Sequence, residues 1–567
     1  MQNPSQLTLD VKPDKIARMP LSGWTLSSAV LTLLILTPIF TICAFLFAPV
    51  SANWAHLTNT VLPEYVRNSL ILMTGVTVGA GSIGVTTAWL TSMYQFPGRK
   101  VLIWALLLPM AMPAYIIAYT YTGMLDVSGP LQEWIRITFD LQYGEYWFPQ
   151  IRSIGGAIAM FSLVLYPYVY LLARAAFLDQ SVCALDASRT LGCNAWQSFW
   201  QVALPLARPA VVAGISLALM ETLADYGTVQ YFGVATFTTG IFRTWFGMND
   251  AVAAAQLSAM LMLFVFGLIA LERWSRRRAR YHHTTNTYQT LPEMTLPRTR
   301  RYLCTVLCAT PVVLGFLIPV AQLLLWSLET FREMVDQRFI ELASNSFALA
   351  AGAALVAMIP ALVLAYGNRE QPSLAMRVCT RLSAMGYAIP GTVIAVGVLI
   401  PFGALDRWFN GWTIAAFDYR PGLIFSGTVF ILLFAYTVRF LAVSLATVEA
   451  GLGKIKPSMD EAARSMGSSR LHVLRSVHVP IMRGSLLTAI VIVFVDVLKE
   501  LPATLVLRPF DFNTLAVRTY ELASDERLAD SSSAALAIVA VGIVPVILLS
   551  TAIARSRAGQ STQRKTA

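Results

Sequence analysis

Charge is what this sequence has least of. Asp, Glu, Lys and Arg make up only 13% of its 567 residues, while apolar residues reach 56%. A soluble globular chain carries about 25% charged residues. The shortfall excludes an ordinary soluble enzyme, and the apolar excess excludes a disordered chain. Cysteine is sparse too. Cys43, Cys183, Cys193, Cys304, Cys308 and Cys379 form no CxxC pair and mostly lie in or beside apolar runs. They read as small hydrophobes with no disulfide or metal role. The five histidines build no HExxH, no nucleophile elbow occurs, and the pair His282-His283 sits in a polar segment, which argues against a membrane-embedded enzyme. A phosphate-cradling loop is missing as well. Gly451-Leu452-Gly453-Lys454 comes near, but Val448 stands where the first glycine belongs and Ile455 follows the lysine. No polar stretch is long enough to form an ATPase domain.

What is present is a series of apolar runs. A membrane span needs ~20 mostly apolar residues. Twelve such runs lie near 27-48, 68-92, 101-124, 154-173, 209-231, 251-271, 303-326, 345-366, 380-401, 421-443, 484-506 and 534-554. The first is too long for a signal-peptide core and has no convincing small-x-small cleavage site, so it reads as an uncleaved helix. The net charge of +11 could suggest nucleic acid, but the basic residues cluster between apolar runs, as in an inner-membrane protein with no nucleic-acid partner. With the N-terminus in the cytoplasm, 30 of the 42 basic residues fall inside, 11 outside, and Lys499 within a span. The positive-inside rule therefore predicts that both termini are cytoplasmic, in an all-α integral membrane fold of about twelve helices.

The chain is also duplicated. Asn68-Ser69-Leu70 matches Asn345-Ser346-Phe347, and Pro113 matches Pro390, both at an offset of 277. Leu204-Pro205 matches Val479-Pro480, Glu221 matches Asp496, Asp225 matches Glu500, and Arg243-Thr244-Trp245 matches Arg518-Thr519-Tyr520, all at 275. The expected halves are 1-290 and 291-567, joined through the polar segment 280-300. Six spans in each half means that both face the same way, related by an axis along the membrane normal.

A patterned cytoplasmic loop recurs in each half, at about 180-208 and 454-483. The first reads Asp186-Ala187-Ser188-Arg189-Thr190-Leu191-Gly192, then Leu204-Pro205. The second reads Glu461-Ala462-Ala463-Arg464-Ser465-Met466-Gly467, then Val479-Pro480. An acid suits the positive end of a helix, and small residues let another backbone approach. Glycine can end the helix in a left-handed conformation. Apolar residues spaced by three then predict a second helix on the membrane surface, closed by proline.

These loops resemble the coupling loops of importer-type ABC transporter permeases that work with a binding protein. Glu461, Ala462, Ala463, Gly467 and Pro480 match that family's motif in type. In the first loop Ala187, Gly192, Leu204 and Pro205 match, Asp186 stands for Glu and Ser188 for Ala. The resemblance implies two parallel six-helix repeats in a bacterial inner membrane. It implies docking of each loop on a cytoplasmic ATPase, with two ATPase copies holding the ATP and Mg, and one periplasmic binding protein. It implies no cofactor on this chain itself.

Ionisable residues inside spans are costly and point to function. Glu221 and Asp225 in span five, and Asp496 and Glu500 in span eleven, are each spaced i, i+4, which predicts one shared helix face per pair. Glu221 would lie ~18 Å along its span at 1.5 Å per residue. The pseudo-twofold axis would gather four carboxylates, oxygen ligands that a hard cation prefers, with no fixed metal site. The opposing readings are a buried Lys499 ion pair, an outer gate held by hydrogen bonds, and a kinking, interfacial role for Tyr166 and Tyr168 beside Pro167. The fused form, Glu221 to Thr228, and Thr239 to Trp245 look like ferric iron importer permeases, a resemblance that implies transient Fe3+ contact at the four carboxylates. Thiamine, polyamine and phosphonate permeases share the architecture. An ion-coupled secondary transporter could also have two repeats but would not need two matched docking loops.

Overall fold

The computed structural model describes residues 23-179, 188, 190-192, 194-277 and 294-558. The polar segment between the halves, up to residue 293, lies outside the described residues, as do Asp186 and Ala187. Eleven helices are long and apolar enough to cross a membrane, and a bent pair raises the number to twelve. A bilayer forces this economy: backbone groups must be satisfied within each span, so helices are the form such apolar runs take. Strand structure among the described residues is a two-residue parallel bridge of Tyr94-Gln95 with Met294-Thr295.

Each half is built round a bundle of three helices. In the first, Leu62–Met93, Ile154–Leu178 and Trp196–Ala224 pack on one another. In the second, Gln337–Glu370, Val429–Leu452 and Arg470–Leu498 do the same. The leading helix of each half reaches across to the other. Gly23–Phe45 lies against Gly391–Phe417, and Thr32 and Ser383 hydroxyls meet at 3.0 Å. Reciprocally, the Tyr121 hydroxyl donates to the Leu314 carbonyl at 2.7 Å.

Three sequence expectations about span ends are corrected. Span three is not one rod from 101 to 124. It is two pieces, Arg99–Ala111 and Ala114–Phe139, bent by 91° at Met112-Pro113. Proline has no N–H and disfavours helix in the residue before it. Pro390 breaks the second half at the matched position with the same backbone, φ −55° and ψ 142° against −58° and 142° for Pro113. Span five stops at Ala224 and span eleven at Leu498, each followed by a separate short helix, Gly227–Tyr231 and Pro502–Leu507. The third concerns Leu204-Pro205 and Val479-Pro480, which do not close a surface helix. They lie inside the continuous membrane helices Trp196–Ala224 and Arg470–Leu498, where a proline without an N–H removes one bond from the helical ladder. A π-helical turn precedes each, at Phe199–Ala203 and Leu474–His478.

Helix backbones in the first half pack closely around Pro167. A Cβ at Gly84 would sit 2.9 Å from the Tyr166 carbonyl oxygen, and one at Gly214 would sit 2.7 Å from Val169 Cα. Small residues at such crossings let helix backbones touch, which is how membrane helices gain packing. Tyr166 is fully buried here, so it belongs to the core and not to the membrane interface. Gly84→Val should therefore cost about 2 kcal/mol through overpacking. The check is thermal unfolding of the detergent-solubilised protein, with Gly267→Val, which meets nothing within 4 Å, as the unaffected comparison.

Candidate functional site

The breaks in spans three, five and eleven meet between the halves and leave a cavity of about 110 Å3. Glu221, Asp225, Asp496 and Glu500 all line it, together with Lys499 and Arg439. Two residues from each half therefore bring four carboxylates to one place. They do not get there as two stripes on helix faces. The helix ends between the members of the first pair, and Asp225 is extended, with φ −70° and ψ 138°. The break has a local cause. The Asp225 carboxylate accepts from the Thr228 N–H at 2.8 Å and the Val229 N–H at 3.3 Å, and from the Thr228 hydroxyl at 3.1 Å. It caps the next short helix, satisfying donors that no helical carbonyl reaches. Glu500 does the same for the second half, accepting from the Ala503 N–H at 3.1 Å.

The cations are already engaged. Lys499 Nζ lies 2.9 Å from Asp496, and Arg439 Nε lies 3.5 Å from Glu500. Glu221 instead accepts from the Tyr387 hydroxyl at 3.4 Å. Four carboxylates thus face two cations, and the cavity carries an excess of negative charge when all are ionised. The Lys499 ion pair that the sequence allowed is made with Asp496.

Arg439 is a correction. Counted among cytoplasmic basic residues, it is instead buried within Val429–Leu452. The rule that finds intramembrane charge would have found it, because it sits in an unbroken apolar run. Tyr387 and Tyr115 also line the cavity and went unread, since nothing local distinguishes them from other aromatic residues. Tyr168 lines it as well, which corrects its interfacial reading.

The second cytoplasmic loop is described throughout. Its helix is Pro457–Ser465, and Gly467 follows at φ 85°. Gly192 in the first loop has φ 87°, the left-handed geometry expected of both glycines. Glu461, Ala462, Met466 and Gly467 are exposed, whereas Ala463 is buried. Ser188 is buried and meets the Ser198 hydroxyl at 2.8 Å. Leu191 and Met466, each just before its glycine, are 84% and 80% exposed. Both loops thus show water an apolar tip that a folded surface ordinarily hides.

Asp460, unremarked in the sequence, holds the second loop in place. Arg369 donates to it at 2.9 Å and His478 Nε2 lies 2.6 Å away. Arg369 also donates to the Leu452 and Ile455 carbonyls, at 2.6 and 2.9 Å. Burial pushes the Asp460 carboxyl up, but the hydrogen bonds from Arg369 and His478 outweigh it and hold the group below its ordinary value.

These features define a membrane permease built from two like halves around a polar cavity. Residues 22–281 and 357–558 match the family described as binding-protein-dependent transport system inner membrane component. The chain belongs to that family, whose members are multi-pass inner-membrane proteins serving an importer fed by a binding protein. It is 28% identical over 538 residues to the Fe(3+)-transport system permease protein FbpB 2 of Haemophilus influenzae, covering 92% of this chain and 97% of that protein. It is 24% identical over 464 residues to the ferric transport system permease protein FbpB of Actinobacillus pleuropneumoniae, covering 77% and 64%. The sulfate transport system permease protein CysT of Escherichia coli is 29% identical over 284 residues, 46% of this chain and 97% of that one.

The Asp460 anchor yields a test with a defined sign. Its carboxyl is lowered on folding, so its contribution is complete above the ordinary aspartate pKa of about 3.9 and is lost as pH falls through the depressed folded value. Asp460→Asn should remove it at neutral pH, at a cost on the order of 3 kcal/mol because Arg369 loses its partner. Tryptic cleavage at Arg464 and Arg470 reads the loop directly. Cleavage should accelerate in the variant at pH 7, while the wild type holds.

Proposed function

We propose that this chain supplies both membrane halves of an ATP-driven importer that moves ferric iron from a periplasmic binding protein into the cytoplasm. The observation that carries the reading is the cavity between the halves, where four carboxylates outnumber two cations that are already paired. A trivalent cation is hard, and carboxylate oxygens are its preferred ligands. An oxyanion would meet the same carboxylates as repulsion. Similarity to ferric permeases over most of the chain supports the same substrate.

The energy comes from elsewhere, since the sequence holds no phosphate-binding loop. We assign the two cytoplasmic loops to docking two copies of a separate ATPase that carries the ATP and Mg. In the second loop Glu461, Ala462 and Gly467 offer the contact surface, while Ala463, Val479 and Pro480 set its position. In the first, Asp186, Ala187, Ser188 and Gly192 correspond, with Leu204 and Pro205 as the base. One binding protein visits the outer face. The halves divide at about residue 290.

Two experiments follow. Glu221→Gln/Asp225→Asn keeps shape and removes charge. It should lower iron uptake per inserted molecule at least tenfold while basal ATP hydrolysis by the assembled complex persists. Uptake equal to wild type removes the pair from the pathway, and transport of sulfate, thiamine, a polyamine or a phosphonate in place of iron overturns the substrate. Glu461→Lys and Gly467→Trp address coupling. Gly467 has nothing within 4 Å, so tryptophan there costs the protein only about 1 kcal/mol of left-handed strain. Both variants should insert normally yet lose iron uptake and transport-stimulated ATP hydrolysis. Undiminished transport by either one defeats the docking assignment, and uptake driven by an ion gradient without an ATPase makes the chain a secondary transporter.

A further inference from the structure

The wall of the cavity is not the same on its two sides. Tyr115 lines it directly, and Tyr119 lies behind it with the rings tilted by 51° and their centroids 5.7 Å apart. Tyr231 follows at 4.5 Å from Tyr119, and the Arg152 guanidinium covers the Tyr231 ring at 5.0 Å. Arg152 in turn joins Asp126 of the first half, at 3.3 Å, to Glu526 of the second, at 2.8 Å. A file of phenols therefore runs from an ion-paired roof on the outer side down to the carboxylates.

The hydroxyls of Tyr115 and Tyr119 are buried and have no hydrogen-bond partner among the described residues. The two side chains are only 4% and 2% exposed. A buried hydroxyl without a partner is costly, and a native structure that keeps one needs a reason. Phenylalanine would fill the same space without that cost. The repeat shows that the fold does not require phenols at these positions, although the matched Thr392 also keeps a buried hydroxyl without a partner among the described residues. At the offset of 277, Tyr115 and Tyr119 correspond to Thr392 and Val396, and at 275 Tyr231 corresponds to Val506. The second half packs the matched positions with no phenol at all.

We infer that Tyr115, backed by Tyr119, forms a ferric-ion subsite beside the carboxylates, present in the first half alone, that receives the cation through its phenolic oxygen. The inference rests on the ferric reading of the cavity. An Fe–O bond forms from a lone pair of the Tyr115 oxygen, a water of the cation's shell departs, and the phenolic proton passes to the carboxylate of Asp225 or Glu500. Both carboxylates line the same cavity as Tyr115. Iron remains Fe3+ throughout. Passage is thus one-sided, along the first half, even though the fold is pseudo-symmetric.

The test uses the assembled transporter in liposomes, with its ATPase and a ferric-loaded binding protein. Tyr115→Phe and Tyr119→Phe should each lower iron uptake per inserted molecule at least tenfold, while Thr392→Val on the mirror side stays within twofold of wild type. Wild type supplied with ferric citrate should develop a visible phenolate-to-iron charge-transfer band, and Tyr115→Phe should lose it. Uptake within twofold of wild type in both phenylalanine variants overturns the inference. If those variants fail to insert, the band decides: its absence from a wild-type protein that takes up iron overturns the inference while the ferric reading stands. A wild-type transporter that carries another solute and no iron sinks both.

Discussion

Everything at the centre of this protein depends on one physical demand: a helix that ends inside a bilayer must find partners for its unpaired backbone groups. Asp225 and Glu500 meet it. Each carboxylate turns back on the backbone N–H groups of the short helix that follows, so the chain can stop, bend and restart in mid-membrane. The same atoms face the cavity. The group that stabilises the break is, on the proposed function, also the group that offers oxygen to a cargo. Arg439 reinforces the second cap but not the first, so the two ends differ in electrostatics.

Duplication set the frame, and divergence has distributed different chemistry over it. The second cytoplasmic loop is tied down by the Asp460, Arg369 and His478 cluster. At the repeat offsets, Ser92 and Ala203 stand where Arg369 and His478 would be, and the first half has no such ions there. Its loop base is aromatic instead: Trp89 packs on Phe177 and Phe199 with ring centroids at 5.3 and 5.0 Å. Ionic anchoring responds to pH and to a single substitution, whereas aromatic packing responds to volume. The two loop bases therefore have different sensitivities, so each half answers to its own class of mutation.

Much of this was legible in the residues. Apolar run lengths and the asymmetry of basic residues give the spans and their direction, because burial of backbone and charge in lipid leaves few alternatives. The matched offsets expose the two halves and bring Glu221, Asp225, Asp496 and Glu500 into one neighbourhood. The helix breaks were less legible. Apolar content runs straight through Pro113 and through Asp225, and a hydropathy reading sees no difference between a rod and two pieces. The pairing of Glu221 with Tyr387 crosses 166 residues and has no local signature. Asp460 and Glu461 are adjacent acids, and only the packing reveals that the first faces inward to Arg369 and the second outward to solvent.

The exchange of leading helices between the halves has a consequence for how the chain is made. Thr32 meets Ser383, a separation of 351 residues. At a synthesis rate of roughly 5–20 residues per second, the first helix waits on the order of 20–70 s before its principal partner emerges. During that interval it stands in the bilayer with polar groups such as Ser28 and Thr32, buried in the finished protein, facing lipid or insertion machinery. Assembly is therefore ordered in time by the chain itself. The last contacts of the earliest helix close only after three-quarters of the protein has entered the membrane, and a block late in synthesis leaves its very beginning unpaired.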